Sequence, residues 1–77
     1  MLVTMTQADI DRSRPGDCFG DAIATALLRL TGKRWKVEPP YVFPEAHKPY
    51  TLPKAAIKLI EAQDDGRPIQ PITFELR

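Results

Sequence analysis

Residues 17–32, DCFGDAIATALLRLTG, contain the longest apolar periodicity in the chain. Six apolar side chains recur here at spacings of three and four, which is typical of an amphipathic helix: Phe19, Ala22, Ile23, Ala26, Leu27 and Leu30. Ala24 and Leu28 widen this apolar face. Because so much of the helix circumference is apolar, we expect this helix to be the central and most buried element.

Both ends of this helix carry residues that favour helix termini. Asp17 can accept hydrogen bonds from the free amides of a first turn, which predicts it as the N-cap. Gly32 suits the left-handed conformation that ends many helices. We therefore predict a helix from Cys18 to about Thr31.

The chain before this helix contains signals for a strand and a short helix. Met1–Met5 (MLVTM) is a short apolar strand candidate. Thr6 and Asp9 have the spacing of a helix start, so Gln7–Arg12 is predicted as one or two helical turns. Pro15-Gly16 predicts a turn before the central helix.

Strands and a second helix are predicted after residue 32. Polar and apolar residues alternate over Arg34–Val37, and Tyr41–Phe43 is a second short strand candidate. Thr51 is predicted to cap a helix with Pro53 in its first turn. The apolar face of that helix has five residues: Leu52, Ala55, Ala56, Leu59 and Ile60. Ile72–Leu76 alternates as a last strand with one buried face.

These elements predict one α+β domain over residues 1–77. A small, mostly antiparallel sheet would pack against one central buried helix and a second helix in the C-terminal half. A chain of 77 residues buries only about 60–65 % of its unfolded surface. We therefore expect a flat or loop-built binding surface rather than a deep substrate pocket.

The charge of the chain excludes two classes of protein. Eleven Lys and Arg residues against ten Asp and Glu residues give a formal net charge of +1. An acidic mimic of nucleic acid needs a dense negative surface, and non-specific phosphate binding needs a strongly basic one. Direct nucleic-acid binding is therefore not expected, and a small nucleic-acid-binding regulator is kept only as an alternative.

The numbers of cysteine and histidine residues limit which compartment and which cofactors are expected for this chain. The chain has one cysteine, Cys18, and one histidine, His47, so neither an intrachain disulfide nor a structural zinc site is expected. No cofactor is expected either. The longest apolar segment, Ala22–Leu30, is too short to span a bilayer, and no signal peptide is recognisable. We expect a cytoplasmic protein with no membrane partner.

Cys18 and His47 are weak candidates for catalysis. A thiol at a helix start can have a lowered pKa, because the dipole and free amides stabilise the thiolate. A helix-start cysteine followed by a histidine is also the chain order of papain-like cysteine hydrolases. However, the Asp17 carboxylate opposes thiolate formation, and Asp-Cys-Phe-Gly matches no nucleophile motif. A packed, unreactive thiol is the favoured interpretation, and we expect no enzyme.

A short basic cluster is the first candidate for partner binding. Arg29, Lys33, Arg34 and Lys36 lie within eight residues and surround Trp35. They could form a patch for phosphate or for an acidic protein surface, with the indole available for stacking. Alternatively, the cations complement a helix C-terminus and the indole anchors the core.

The segment YVFPEAHKPY, Tyr41–Tyr50, is the second candidate. Tyr41, Phe43 and Tyr50 are three of the six aromatic residues in the chain, and they lie in its most proline-rich region. Prolines stiffen a loop before binding, and aromatic residues are frequent binding hot spots. His47 lies in the same segment as a further contact or a pH-responsive group. The alternative is that two of the aromatic side chains pack into the domain's own core.

Two stretches carry a resemblance to a known class of proteins. DIDRSRPGDCFGDAIATALLRLTGKRW (residues 9–35) and YVFP (Tyr41–Pro44) resemble small proteins of phage and prophage regions. Among these, the chain is similar to anti-CRISPR proteins directed against type I surveillance complexes. The resemblance implies a stoichiometric inhibitor that binds a Cas complex subunit in the bacterial host cell and prevents target-DNA binding. It implies no residue-level site.

Our functional hypothesis is therefore an inhibitory binding protein with a protein partner, acting as a monomer or a homodimer. The alternatives are a cysteine hydrolase that uses Cys18 and His47, and a nucleic-acid-binding regulator.

Overall fold

The computed structural model describes all 77 residues, Met1–Arg77. In chain order, the elements are β1 (Leu2–Met5), α1 (Gln7–Arg12), α2 (Ala22–Thr31), β2 (Trp35–Glu38), β3 (Tyr41–Pro44), β4 (Tyr50–Thr51), α3 (Lys54–Asp64) and β5 (Ile72–Glu75). The α+β class expected from the sequence is confirmed, and every strand pairing is antiparallel.

The strands form two sheets rather than one. β1 pairs with β5 in a two-stranded sheet, and β2, β3 and β4 form a three-stranded sheet in that order. Helix α2 packs against both β1 and β2. Its broad apolar surface therefore covers one strand of each sheet, and the two sheets share one core without pairing to each other.

One cluster of sixteen buried hydrophobic residues forms that core. Helix α2 contributes five of its ten residues to the cluster: Ala22, Ile23, Ala24, Ala26 and Leu27. Helix α3 contributes Ala56, Leu59 and Ile60. The prediction that the alanine-rich helix is the central buried element is confirmed, because no other helix or strand buries as many core residues.

The predicted start of this helix was wrong. Helix α2 begins at Ala22, and its N-cap is Asp21, whose Oδ1 accepts a hydrogen bond of 2.8 Å from the Ala24 amide. Asp17 instead closes a separate turn, in which its Oδ1 accepts from the amide of Phe19 at 2.9 Å. Both aspartates can terminate a turn in this way, and local spacing does not distinguish them.

The shorter helix changes which apolar residues are buried. Phe19 precedes the helix and is 44 % exposed, and Leu28 and Leu30 are also half exposed. The prediction that these three face the core was wrong. Because the helix packs through Ile23 and Leu27, the positions of Leu28 and Leu30 lie toward its flanks.

The short helix α1 is confirmed by its caps. The Thr6 hydroxyl accepts from the Asp9 amide at 3.3 Å, while the Asp9 carboxylate accepts from the Thr6 amide at 2.8 Å. This is the reciprocal capping box that the Thr-x-x-Asp spacing predicts. Gly32 ends α2 with a positive φ of 74°, as its sequence position also predicts.

The predicted cap of the last helix was wrong. Thr51 lies in β4 opposite Tyr41, and α3 begins at Lys54 after Pro53, which makes no side-chain capping hydrogen bond. The Leu52 amide donates to the carbonyl oxygen of Pro40 at 2.8 Å. This hydrogen bond continues the pairing with the β2–β3 turn and keeps the backbone extended up to Pro53. Ala55, predicted on the apolar face, is exposed.

Candidate partner-binding surface

The nine residues predicted to bind a partner lie in three separate places. One of them, Arg29, takes part in an ion pair within the fold. Four surround a pocket at one end of the three-stranded sheet: Lys33, Trp35, His47 and Tyr50. The other four lie on or beside the outer face of β2 and β3: Arg34, Lys36, Tyr41 and Phe43.

Arg29 holds helix α2 to the N-terminal part of the chain. Its Nε donates to Asp9 Oδ1 at 2.9 Å and its Nη2 donates to Asp9 Oδ2 at 3.0 Å. Nη2 also donates to the carbonyl oxygen of Thr4 at 2.7 Å. The hydrogen bond to Asp9 raises the pKa of Arg29 above its usual value. Most of its donors are therefore used inside the molecule.

Trp35 anchors the sheet to the end of helix α2. The indole is buried, and its Nε1 donates to Thr31 Oγ1 at 3.0 Å. Its ring lies 5.6 Å from the ring of Tyr50. His47 and Lys33 lie on the exposed rim of the adjoining pocket, which has a volume of about 280 Å³. At this end of the sheet the aromatic rings serve mainly to pack the domain.

The outward-facing side chains of β2 and β3 lie on the face of the three-stranded sheet that points away from the core. Along β2, Trp35 and Val37 are buried while Lys36 and Glu38 point outward, as the period-two alternation of a strand requires. Lys36 lies opposite Phe43 on β3. Five residues of this surface form what we call the aromatic–basic face: Phe19, Arg34, Lys36, Tyr41 and Phe43.

The rings of this face contact one another or a cation. Tyr41 is 46 % exposed, and its ring lies 6.2 Å from that of Phe43 in an edge-to-face arrangement. The Arg34 guanidinium carbon lies 5.2 Å above the centre of the Phe19 ring, within the range of a cation–π interaction. A shallow depression of about 340 Å³ separates Phe19 and Arg34 from Phe43.

The two cations of the face differ in how they are balanced. Lys36 Nζ lies 2.8 Å from Glu38 Oε1, and this hydrogen bond raises the pKa of Lys36. Arg34 takes part in none of the four salt bridges of the structure. Its guanidinium is therefore the less neutralised of the two.

An open groove continues from this face across the N-terminal turns. Its volume is about 550 Å³. We call it the arginine groove because four of its ten lining residues are Arg12, Arg14, Arg29 and Arg34. The other six are Asp9, Asp17, Phe19, Gly20, Thr25 and Leu28. Phe19 and Arg34 belong to both surfaces. Arg12, Arg14, Phe19 and Leu28 were missed as candidate site residues, because they lie on different elements and form no local motif.

The proposed catalytic pair is not brought together by any described contact. Cys18 lies four residues before the start of α2, so it does not occupy the helix-start position that the catalytic hypothesis required. Its carbonyl oxygen accepts from the Val37 amide at 2.7 Å, which places it along the free edge of β2. His47 lies in the β3–β4 connection, beside Trp35. No hydrogen bond joins Cys18 and His47, and Cys18 lines none of the five main pockets.

No group of three or more His, Cys, Asp or Glu side chains is arranged to hold a metal ion. None of the three helices combines the length and the hydropathy that crossing a bilayer would need.

Comparison with known proteins gives no assignment for this chain. No protein-family model, no curated protein and no solved structure matches it.

Proposed function

We propose that this chain is a small inhibitory binding protein that covers a surface of a protein partner with its aromatic–basic face. The observation that carries the proposal is the presence of three aromatic rings on one outer surface, beside the cations of Arg34 and Lys36. Two of the rings, Phe19 and Tyr41, are nearly half exposed. A monomeric domain this small gains little stability from large apolar side chains that remain in water.

The composition of this face is that of a protein-binding hot spot. Aromatic residues and arginine are enriched among the side chains that dominate binding energy, and they are usually ringed by polar groups. Glu38 and Glu45 supply such polar groups at the edge of the face. Phe43 is half-buried and lies against Tyr41, so its side chain loses little conformational freedom on association.

The molecule is large enough to act by covering a partner. A standard interface buries about 800 Å² on each partner. The accessible surface of the chain is 4881 Å², so such an interface would occupy about one sixth of it. One outer face of the three-stranded sheet, extended by the turn that carries Phe19, can supply this area.

The partner we propose is a subunit of a type I Cas surveillance complex in the bacterial cytoplasm. The support for this choice is the resemblance of residues 9–35 and 41–44 to phage proteins and, among them, to anti-CRISPR proteins. In this proposal the bound chain prevents the complex from binding target DNA, and no catalytic step is required.

A pull-down and a DNA-binding assay with one purified type I surveillance complex test the proposal. The wild-type chain should co-purify with the complex and should abolish its retention of target DNA in a gel-shift assay. Replacing Tyr41 and Phe43 together by alanine should weaken capture at least tenfold, since hot-spot truncations remove about 2 kcal/mol or more. The matched control replaces Lys54 and Lys58 by alanine, on the exposed side of α3.

Circular dichroism should show that both variants remain folded, because none of the replaced residues belongs to the hydrophobic core. Capture of the complex by the Tyr41/Phe43 variant at wild-type strength would exclude the aromatic–basic face as the binding surface. Absence of binding between the wild-type chain and every subunit at about 10 µM would exclude the proposed partner.

A further inference from the structure

The arginine groove contains three guanidinium groups that form no salt bridge with a carboxylate. Arg12, Arg14 and Arg34 take part in none of the four salt bridges of the structure, and all three line the groove. Arg12 comes from α1, Arg14 from the turn after it, and Arg34 from the residue before β2. The fold thus brings together cations that are up to 22 positions apart in the sequence.

The two acids of the groove are already used by the fold. Asp9 is held by the bidentate pair with Arg29. The Oδ1 of Asp17 accepts from the Phe19 amide at 2.9 Å. Neither carboxylate makes a salt bridge to Arg12, Arg14 or Arg34, so these three cations remain available to an incoming anion.

The backbone around the groove is fixed before any ligand binds. The Arg14 amide donates to the carbonyl oxygen of Gly20 at 2.6 Å, and the Asp17 amide donates to that of Arg14 at 3.2 Å. The Gly16 amide donates to Asp64 Oδ1 at 3.2 Å, which ties the turn to the end of α3. A preformed site loses less conformational entropy on binding.

Apolar side chains form part of the groove. Phe19 and Leu28 both line it, and each is 44 % exposed. A ligand that fits therefore combines negative charge with apolar side chains.

We propose that the arginine groove binds an acidic segment of the protein partner. Carboxylates of the segment would pair with the guanidinium groups of Arg12, Arg14 and Arg34, because the planar fork of arginine matches a carboxylate in a bidentate geometry. Apolar side chains of the same segment would lie against Phe19 and Leu28. This inference rests on the proposed function, which it extends from one flat face to a second, adjoining contact.

An acidic peptide fits the groove better than a nucleic acid does. The Arg34 guanidinium covers one face of the Phe19 ring, which leaves at most one face of that ring for a nucleobase to stack on. Leu28 offers no stacking surface. The whole chain carries a formal charge of only +1, whereas binding to a nucleic-acid backbone draws on many cations along an extended path.

A peptide titration followed by NMR tests the site without the partner. The probe is a short synthetic peptide of glutamate and leucine, blocked at both ends, and its control carries glutamine in place of glutamate. The acidic peptide should shift the amide signals of Arg12, Arg14, Phe19 and Leu28. Its binding should weaken at least fivefold when sodium chloride is raised from about 50 mM to about 300 mM, since salt screens exposed charges.

Charge-matched variants separate the groove from the general charge of the chain. Replacing Arg12 and Arg14 together by glutamine should weaken acidic-peptide binding at least fivefold. The control replaces Lys58 and Arg67 by glutamine, which removes the same charge from residues that do not line the groove, and its binding should stay within about twofold of wild type.

Charge reversal should give a new binding activity, which simple destabilisation of the fold could not produce. Replacing Arg12 and Arg14 by glutamate should abolish binding of the acidic peptide and create binding of the corresponding lysine–leucine peptide. The inference is overturned if neither peptide shifts groove amides at about 5 mM, if the glutamine peptide binds equally well, or if a short oligothymidylate binds more tightly than the acidic peptide.

The outcomes also distinguish this inference from the proposed function. If the chain captures a surveillance complex but the Arg12/Arg14 variants bind it at full strength and the peptide moves no amide, the groove proposal fails while the inhibitory function stands. If the peptide binds as expected but no complex is captured, the groove proposal stands and the proposed partner is wrong.

Discussion

Two buried carboxylates at the starts of two helices have pKa values shifted in opposite directions. Asp9 belongs to the first turn of α1 and Asp21 is the N-cap of α2, and their exposed fractions are 0 % and 3 %. Burial by itself raises the pKa of Asp9, but hydrogen bonds from Arg29 and Thr6 outweigh it and hold the value below the ordinary 3.8. Asp9 is therefore a stable carboxylate inside the fold.

Asp21 makes no salt bridge with a cation. Burial raises its pKa to about 7, and the negative charges of Asp64 and Asp17 act in the same direction. The amides of Ala24 and Ile23 donate to its carboxylate and oppose this rise, but only in part.

The comparison shows that a helix cap does not by itself keep a buried carboxylate charged. Both side chains accept backbone hydrogen bonds at a helix start, where the dipole favours negative charge. Only Asp9 also has a guanidinium with two donors directed at it. The stronger desolvation of Asp21 and the counter-charge at Asp9 together decide which of the two carries a proton near neutral pH.

The largest expected effect is a dependence of stability on pH that originates at Asp21. Between its ordinary pKa of 3.8 and its folded pKa of about 7, the folded chain holds a proton that the unfolded chain has lost. The free energy of unfolding should therefore fall by about 4 kcal/mol as pH rises from about 4 to about 8. Chemical denaturation at a series of pH values measures this slope.

Asp21→Asn is the matched control for that slope. Asparagine keeps a side-chain oxygen for the Ala24 amide but does not titrate, so the variant's stability should be nearly constant from about pH 4 to about pH 8. The variant should also exceed the wild type in stability at pH 8. A wild-type curve as flat as that of the variant would contradict a raised pKa at Asp21.

The second-largest expected effect is the loss of stability on replacing Asp9, the carboxylate that has a counter-charge. Asp9→Ala removes the capping box and the bidentate partner of Arg29, and it should lower the free energy of unfolding by about 3 kcal/mol at pH 7. Asp11→Ala is the control, since Asp11 is exposed and its carboxylate accepts only from the Gln7 side chain. Equal losses in the two variants would show that the Arg29 pair contributes nothing particular.

The sign of the Asp9 contribution is opposite to that of Asp21. Because its folded pKa lies below 3.8, the stability it contributes is present above pH 3.8 and is lost as the pH falls through the folded pKa. The two carboxylates together predict greatest stability near pH 4–5. The free energy of unfolding of the Asp9→Ala variant should accordingly fall less than that of the wild type as the pH drops below about 4.

A third experiment removes the counter-charge of Asp9, so that Asp9, like Asp21, has no salt bridge with a cation. Arg29→Gln removes the guanidinium that lowers the pKa of Asp9, so this pKa should rise above its value in the wild type. Carboxyl carbon NMR across a pH titration gives this value directly. Arg12→Gln serves as the control on the same helix as Asp9, and an unchanged Asp9 titration in the Arg29 variant would refute the counter-charge explanation.

The smallest expected effect comes from the negative neighbour of Asp21. Asp64→Asn removes one like charge but keeps the oxygen that accepts from the Gly16 amide, so the midpoint of the pH transition should fall by roughly half a unit. Asp65→Asn is the control, because Asp65 does not contribute to the shift at Asp21 and instead pairs with Arg67. An identical midpoint in both variants would show that the charge of Asp64 does not raise the Asp21 pKa.

Local pattern was sufficient to predict the elements whose caps and periodicity lie within a few residues. The Thr6–Asp9 capping box predicted α1, Gly32 predicted the end of α2, and the apolar repeat predicted the buried helix. The start of α2 was not predictable in this way. Its first amide, that of Ala22, donates to Gln63 Oε1 across 41 positions of sequence, and a preceding turn with its own aspartate imitates a helix start.

The candidate site shows the same division between local and long-range signals. The sequence grouped Arg34 with Lys36 in one basic cluster, and Tyr41 with Phe43 in one aromatic segment, because the members of each pair are close together in the chain. It also grouped Arg29 with them, although that side chain binds Asp9 twenty positions away. Phe19 reaches Arg34 through tertiary folding alone, so neither the cation–π contact nor the arginine groove could be read from spacing.

The strict alternation along β2 places neighbouring residues under different structural constraints. Trp35 and Val37 are fixed by the interior, whereas Lys36 and the residues opposite it can vary with little effect on folding. Substitutions on the outer face of β2 can therefore change the surface that the domain presents to solvent while its interior packing is kept.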